Sequence, residues 1–149
     1  MKIYLSGSFN LRQDIALLAR ELKSKGFEVT SSWLSEPEVR FDDAATEEWA
    51  RRARANEDVE DIRRSDALIV FTRVPSTSGG LYWELGYADA LGLDLYVVGP
   101  VLNVFMLRSK VNHYRTFAEL LDDLLKQQHA EHPLYVLKNE HSIGATNEQ

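Results

Sequence analysis

Glu84 stands in the largely apolar, glycine-rich run STSGGLYWELGYADALG, residues 76–92, whose other carboxylate is Asp89. A helix this apolar belongs in a core, and a core does not readily accept a lone glutamate. Either Glu84 pairs with an arginine or caps its own helix, or it is there for chemistry. A carboxylate held beside glycine-rich loops can attack the anomeric carbon of a sugar, giving a covalent glycosyl-enzyme that a second nucleophile resolves. Such a reaction needs a second group to assist the departing fragment, ordinarily a carboxyl proton donor or relay. The run NEDVEDIRRSD, residues 56–66, offers Asp58, Asp61 and Asp66. Asp58 and Asp61 share a helix face, whereas Asp66 opens a strand and falls at the wrong end of a sheet for the site. Acidic residues on a charged helix are ordinarily a solvated face. Composition alone leaves the choice among the three open.

Two other segments offer donors to an anion. SGSFNLRQD, residues 6–14, puts small residues between a strand and a helix, with Arg12 to add charge. An ordinary strand-to-helix turn capped by Ser8 or Asn10 accounts for it equally well. The run is neither a Walker motif nor a complete dinucleotide fingerprint. The loop STSGG repeats the offer at a second helix start, where Ser78, Gly79 and Gly80 permit close backbone approach and the helix dipole favours negative charge. His113, His129, His132 and His141 gather toward the C-terminus. No carboxylate or cysteine framework completes a metal site around them, and neither a metal nor an organic cofactor is expected.

The elements that must position these groups follow from periodicity. Residues 2–5, 27–33, 66–72 and 93–100 read as strands, and residues 13–25, 46–64, 81–91 and 117–128 as helices. Asn56 is a candidate break in the second helix, and residues 36–43 read as a surface loop. PLYVL, residues 133–137, is the candidate for a fifth, edge strand or an ordered extension. This alternation predicts a doubly wound, mainly parallel, five-stranded α/β sheet over residues 1–137, followed by a frayed tail over 138–149. Ligands in such sheets bind beyond the carboxyl ends of the strands, which gathers SGSFN, TRVPSTSGG and GPVLN on one rim. The 149-residue chain is 44% hydrophobic and 27% charged, with a formal charge of −6 and no cysteine. Those values suit one soluble domain without disulfides, argue against a nucleic-acid polymer as partner, and fit a cytoplasmic location. No segment reads as a signal peptide or a membrane span.

IYLSGSF, DVEDIRRSDALIVFT, and SGGLYWELGYADALG with its following YVVGP together resemble the nucleoside 2-deoxyribosyltransferase superfamily. That superfamily includes transferases that exchange bases on 2'-deoxynucleosides and hydrolases that cut the N-glycosidic bond of nucleoside 5'-monophosphates. The similarity spans residues 2–103, and the ELGYA helix behind its glycine loop is the most specific part. It implies a flavodoxin-like fold, with Glu84 as nucleophile on C1' and Asp58 assisting the base. Tyr4 matches a tyrosine that positions the nucleophile, and Gly7 and Ser8 match the first sugar- or phosphate-binding turn.

The resemblance divides on the 5' group. Ser78 occupies the place where transferases often carry an acidic residue, and with Gly80 it is similar to the monophosphate hydrolases, a reading with which Arg12 agrees. Asn103 instead resembles an asparagine that transferases contribute across a subunit interface, and Ser109 is the alternative phosphate contact from a neighbouring subunit. Either contact implies a homodimer or larger homo-oligomer. A base pocket is expected from Phe9, Trp33 and the loop near Phe41. The expected activity is therefore cleavage of the N-glycosidic bond of a nucleoside or nucleoside 5'-monophosphate through a glycosyl-glutamate, with a free base as a possible acceptor. A hydrolase and a non-catalytic nucleotide sensor are the alternatives.

Overall fold

The computed structural model describes residues 1–35, 47–76 and 79–131. Five strands, β1 (Lys2–Gly7), β2 (Glu28–Val29), β3 (Ala67–Phe71), β4 (Asp94–Val98) and β5 (Val111–Tyr114), form one sheet in the order β2-β1-β3-β4-β5. Every pairing is parallel. This is the doubly wound order whose direction reverses between β1 and β3, where the connections leave on opposite faces and open a crevice.

All five residues of β3 are buried, as a central parallel strand covered on both sides requires. Alternation along β1 divides the core. Ile3 and Leu5 face the helices α1 (Arg12–Ser24) and α4 (Phe117–Glu131). Tyr4 lies on the opposite face with Leu68, Val70, Leu81 and Leu85, beneath α2 (Glu48–Arg63) and α3 (Gly80–Ala90). Each fully buried leucine or isoleucine there contributes on the order of 1.5–3 kcal/mol. Gly7 ends β1 where space is short, because a Cβ there would stand 2.6 Å from Ile15 Cδ1.

Three sequence expectations need correction. The fifth strand is VNHY of β5, while PLYVL and the tail lie outside the described residues. The expected strand over residues 27–33 pairs only at Glu28 and Val29 and then turns into a short 3-10 helix, η2 (Ser32–Leu34). Side chains replace the ladder there: the Ser31 hydroxyl accepts from Leu5 N at 2.6 Å, and Thr30 and Ser65 share a hydroxyl contact of 2.7 Å. Helix α2 runs through Asn56 without a break.

Candidate active site

The crevice between β1 and β3 holds Glu84. Helix α3 is preceded by Gly79, whose φ of +80° is a left-handed conformation that glycine adopts without steric cost. Its carbonyl accepts from Tyr82 N and Trp83 N, each at 3.1 Å. One turn further on, Glu84 points back toward β1. Leu81, Leu85 and Ala88 bury the sheet-facing side of the helix and fix its rotation. The Tyr4 hydroxyl donates to Glu84 Oε1 at 3.1 Å, and the Ser6 hydroxyl donates to Oε2. Among the described residues Glu84 forms no ion pair, and its two oxygens are met by hydroxyls.

Burial dominates the electrostatics. Desolvation pushes the half-buried Glu84 carboxyl up to about 7, against the opposing hydrogen bonds from Ser6 and Tyr4, while the Asp58 charge adds to the rise. Asp58 is pushed up to about 6 by desolvation first and by the charge of Asp61 second, and the nearby Tyr4 hydroxyl opposes both. Burial, together with the charges of Glu84, Asp58 and Asp61, holds the Tyr4 phenol far above its ordinary range, so it stays protonated. A phenol has one proton to give and lone pairs that accept. Placed between two carboxyls, it donates to whichever is ionised and accepts from whichever is protonated.

The remaining candidates separate into groups. Phe9 and Trp33 face each other with ring centroids 6.5 Å apart, and the Arg12 guanidinium lies 5.6 Å above the Phe9 ring. Arg12 Nε also donates to Leu34 O at 3.4 Å, which puts this cation beside the aromatic wall. Trp33 Nε1 is anchored on Leu5 O at 2.9 Å, at the same end of β1 as Ser6. Ser8 is buried and its side chain caps nothing, although its carbonyl accepts from Leu11 N at 2.8 Å. Gly80 opens α3. Asn103 caps the 3-10 helix η3 (Val104–Leu107), where its Oδ1 accepts from Phe105 N at 3.0 Å and Met106 N at 3.2 Å. Ser109 is exposed in the turn before β5. Ser78 and Phe41 lie outside the described residues.

Asp66 does sit at the far end of the sheet, where its Oδ2 accepts from Lys2 N at 2.7 Å. Asp61 is not on a solvated face: it is buried and holds Ser32 and Arg64. Sequence reasoning passed over Ser6. The signal was present, because residues two apart on a strand share a face and Tyr4 was already singled out. His113 is bound to Met106 O at 2.7 Å, and no cluster of three or more metal-ligating side chains occurs among the described residues.

The sequence model described as nucleoside 2-deoxyribosyltransferase matches residues 3–114. A 2-deoxyribosyltransferase from Bacillus psychrosaccharolyticus superposes with a TM-score of 0.62 at 23% identity, covering 80% of this chain and 90% of its own. A CMP N-glycosidase from Clostridium botulinum gives 0.54 at 22%, covering 83% and 98%. A deoxyribosyltransferase from Leishmania mexicana gives 0.55 at 20%, covering 84% and 97%. None of the curated proteins matches the chain in sequence. At these identities the structural likeness carries the fold.

Proposed function

Since the chain belongs to the nucleoside 2-deoxyribosyltransferase family, we propose that it breaks the N-glycosidic bond of a 2'-deoxynucleoside or its 5'-monophosphate through a deoxyribosyl-Glu84 intermediate. The observation that carries this reading is the isolated carboxylate at the crevice, held by two hydroxyls with Asp58 on the far side of one of them.

One proton divided between the two carboxyls suits the reaction. With that proton on Asp58, Asp58 donates to the Tyr4 oxygen or to the base, Tyr4 donates to Glu84, and Glu84 is ionised. A Glu84 oxygen then forms its bond to C1' as the C1'–N bond breaks, and the electron pair leaves with the base nitrogen, which takes the proton from Asp58. The second step reverses the roles. A base nitrogen or a water oxygen attacks C1', Glu84 departs as carboxylate, and Asp58 accepts the proton of the incoming group. Capture by a base is transfer, which this reading favours. Capture by water is hydrolysis.

Phe9 and Trp33 form the base-stacking wall in this reading, and Arg12 at its edge suits a carbonyl oxygen of the base as well as a phosphate. Asn103 and Ser109 serve a second copy of the chain. The exposure of Val104, Phe105 and Leu107 at 66–70% supports such an interface.

Incubating the protein with deoxynucleosides and deoxynucleoside monophosphates, with and without a free base, tests the reading. Base exchange that requires the acceptor identifies a transferase, and base release without one a hydrolase. Substrate binding without turnover, unchanged in Glu84→Gln, would leave the protein a nucleotide sensor.

A further inference from the structure

The buried carboxylate of Asp61 has no part in the chemistry above, yet both of its oxygens are bonded. Its Oδ2 accepts from Ser32 N at 2.8 Å and from Ser32 Oγ at 2.6 Å. Its Oδ1 accepts from Arg64 Nη2 at 2.8 Å and from Arg64 Nε at 3.2 Å. Arg64 Nη2 also donates to Thr30 O at 3.0 Å, and Ser65 Oγ, shared with Thr30, donates to Asp61 O at 2.7 Å. Residues 30–32 are thus fastened to the end of α2 through one carboxylate and its neighbours. The next residue is Trp33, and the residue one helical turn before Asp61 is Asp58. An anion satisfied by four donors this deep holds its geometry tightly, because releasing any donor strands a buried polar group.

We propose that Asp61 is a positioning residue: it locks the Trp33 turn to the helical turn that carries Asp58 and keeps a second negative charge beside Asp58. The proposal rests on the reading of Asp58 as the group that assists the base. The groups facing Asp58 are Tyr4 of β1 and, on its own helix, Arg54, Glu57 and Asp61. Glu84 of α3 is coupled to it in turn. Glu57 pairs with Arg54 at 3.3 Å and Asp61 with Arg64 at 2.8 Å, and of the two acids Asp61 is the buried one. Its charge adds to the desolvation that is the main cause of the raised Asp58 carboxyl.

Asp61→Asn keeps the side-chain volume, removes the charge and turns one of the two oxygens into a donor facing donors. Two readouts separate its consequences. The first needs no turnover: carboxyl NMR titration of Asp58 in the wild type and the variant. The expected midpoint is lower in the variant by roughly half a pH unit or more, the repulsion of a charge one helical turn away having gone. The second is the pH profile of base release, whose alkaline limb moves to lower pH in the same direction, with KM raised several-fold as Ser32, the residue before Trp33, loosens. Thermal melting identifies a variant that has lost its fold, and Asp61→Glu, which restores the charge, brings the Asp58 midpoint back up. An unmoved Asp58 midpoint in a folded Asp61→Asn protein overturns the proposal. A lowered midpoint in a protein that turns over no nucleoside or nucleotide sustains the charge effect and refutes the reaction instead.

Discussion

Replacing Ser6 by alanine isolates one of the two bonds that hold Glu84. Ser6 is fully buried, and the substitution removes a single oxygen, so the core loses almost no packing and β1 keeps its pairing with β3. What disappears is a hydroxyl donor to Glu84 Oε2. A hydrogen bond to a charged group contributes about 1.5–3 kcal/mol, and the same free energy at the transition state amounts to a loss of about 10- to 150-fold in rate. The loss has two parts. Glu84 is freer to turn away from C1', and its carboxyl, already raised to about 7, rises further because a donor to the ionised form is gone. Single-turnover base release measured across pH separates them. The expected result is a lower maximum, an acid limb displaced to higher pH, and little change in KM, since Ser6 contacts Glu84 and not the base. A folded Ser6→Ala protein with wild-type rate and wild-type acid limb would refute the argument that this hydroxyl organises the carboxylate.

Two further outcomes follow from the same electrostatics. Glu84 has a folded-state value of about 7 against 4.5 for the free side chain, so its contribution to stability is full below about 4.5 and is lost as pH rises to about 7. Glu84→Gln lacks that loss. In urea titrations it exceeds the wild type at pH 8 by about 1–3 kcal/mol, discounted for partial exposure, and the gap closes toward pH 4.5; a gap that widens on acidification contradicts the account. Base release by the wild type peaks between the Asp58 and Glu84 values of about 6 and about 7. Below both, the nucleophile is protonated, and above both, the proton donor is gone. Asp58→Asn therefore abolishes the alkaline limb in a pH–rate profile, and an alkaline limb that persists assigns the proton elsewhere.

The frame was legible because β1, β3 and β4 are near-continuous apolar runs, which only strands covered on both faces need. Glu84 was legible for the opposite reason, as a charge where that pattern has no place for one. β5 was missed because VNHY is an edge strand with Asn112 and His113 exposed, and so presents no apolar run. The brevity of β2 depends on Thr30 and Ser31 finding partners on Ser65 and Leu5, residues distant in sequence. Asp61 shows the same limit more sharply. In sequence it is one more acid on a charged helix, and only the arrival of Ser32 and Arg64 makes it a buried joint. Ser6 is different, because strand alternation alone pairs it with Tyr4.

The central claim is that Glu84 forms a bond to the sugar. Mixing the protein with a deoxynucleoside or deoxynucleoside monophosphate that it turns over, quenching with acid within a turnover and measuring intact and peptide masses tests it most directly. The account predicts a mass increase of one deoxyribosyl group, or one deoxyribosyl 5-phosphate, on the peptide containing Glu84, absent in Glu84→Ala. Base release at full rate with no adduct at any quench time, or with the adduct on another residue, would contradict it.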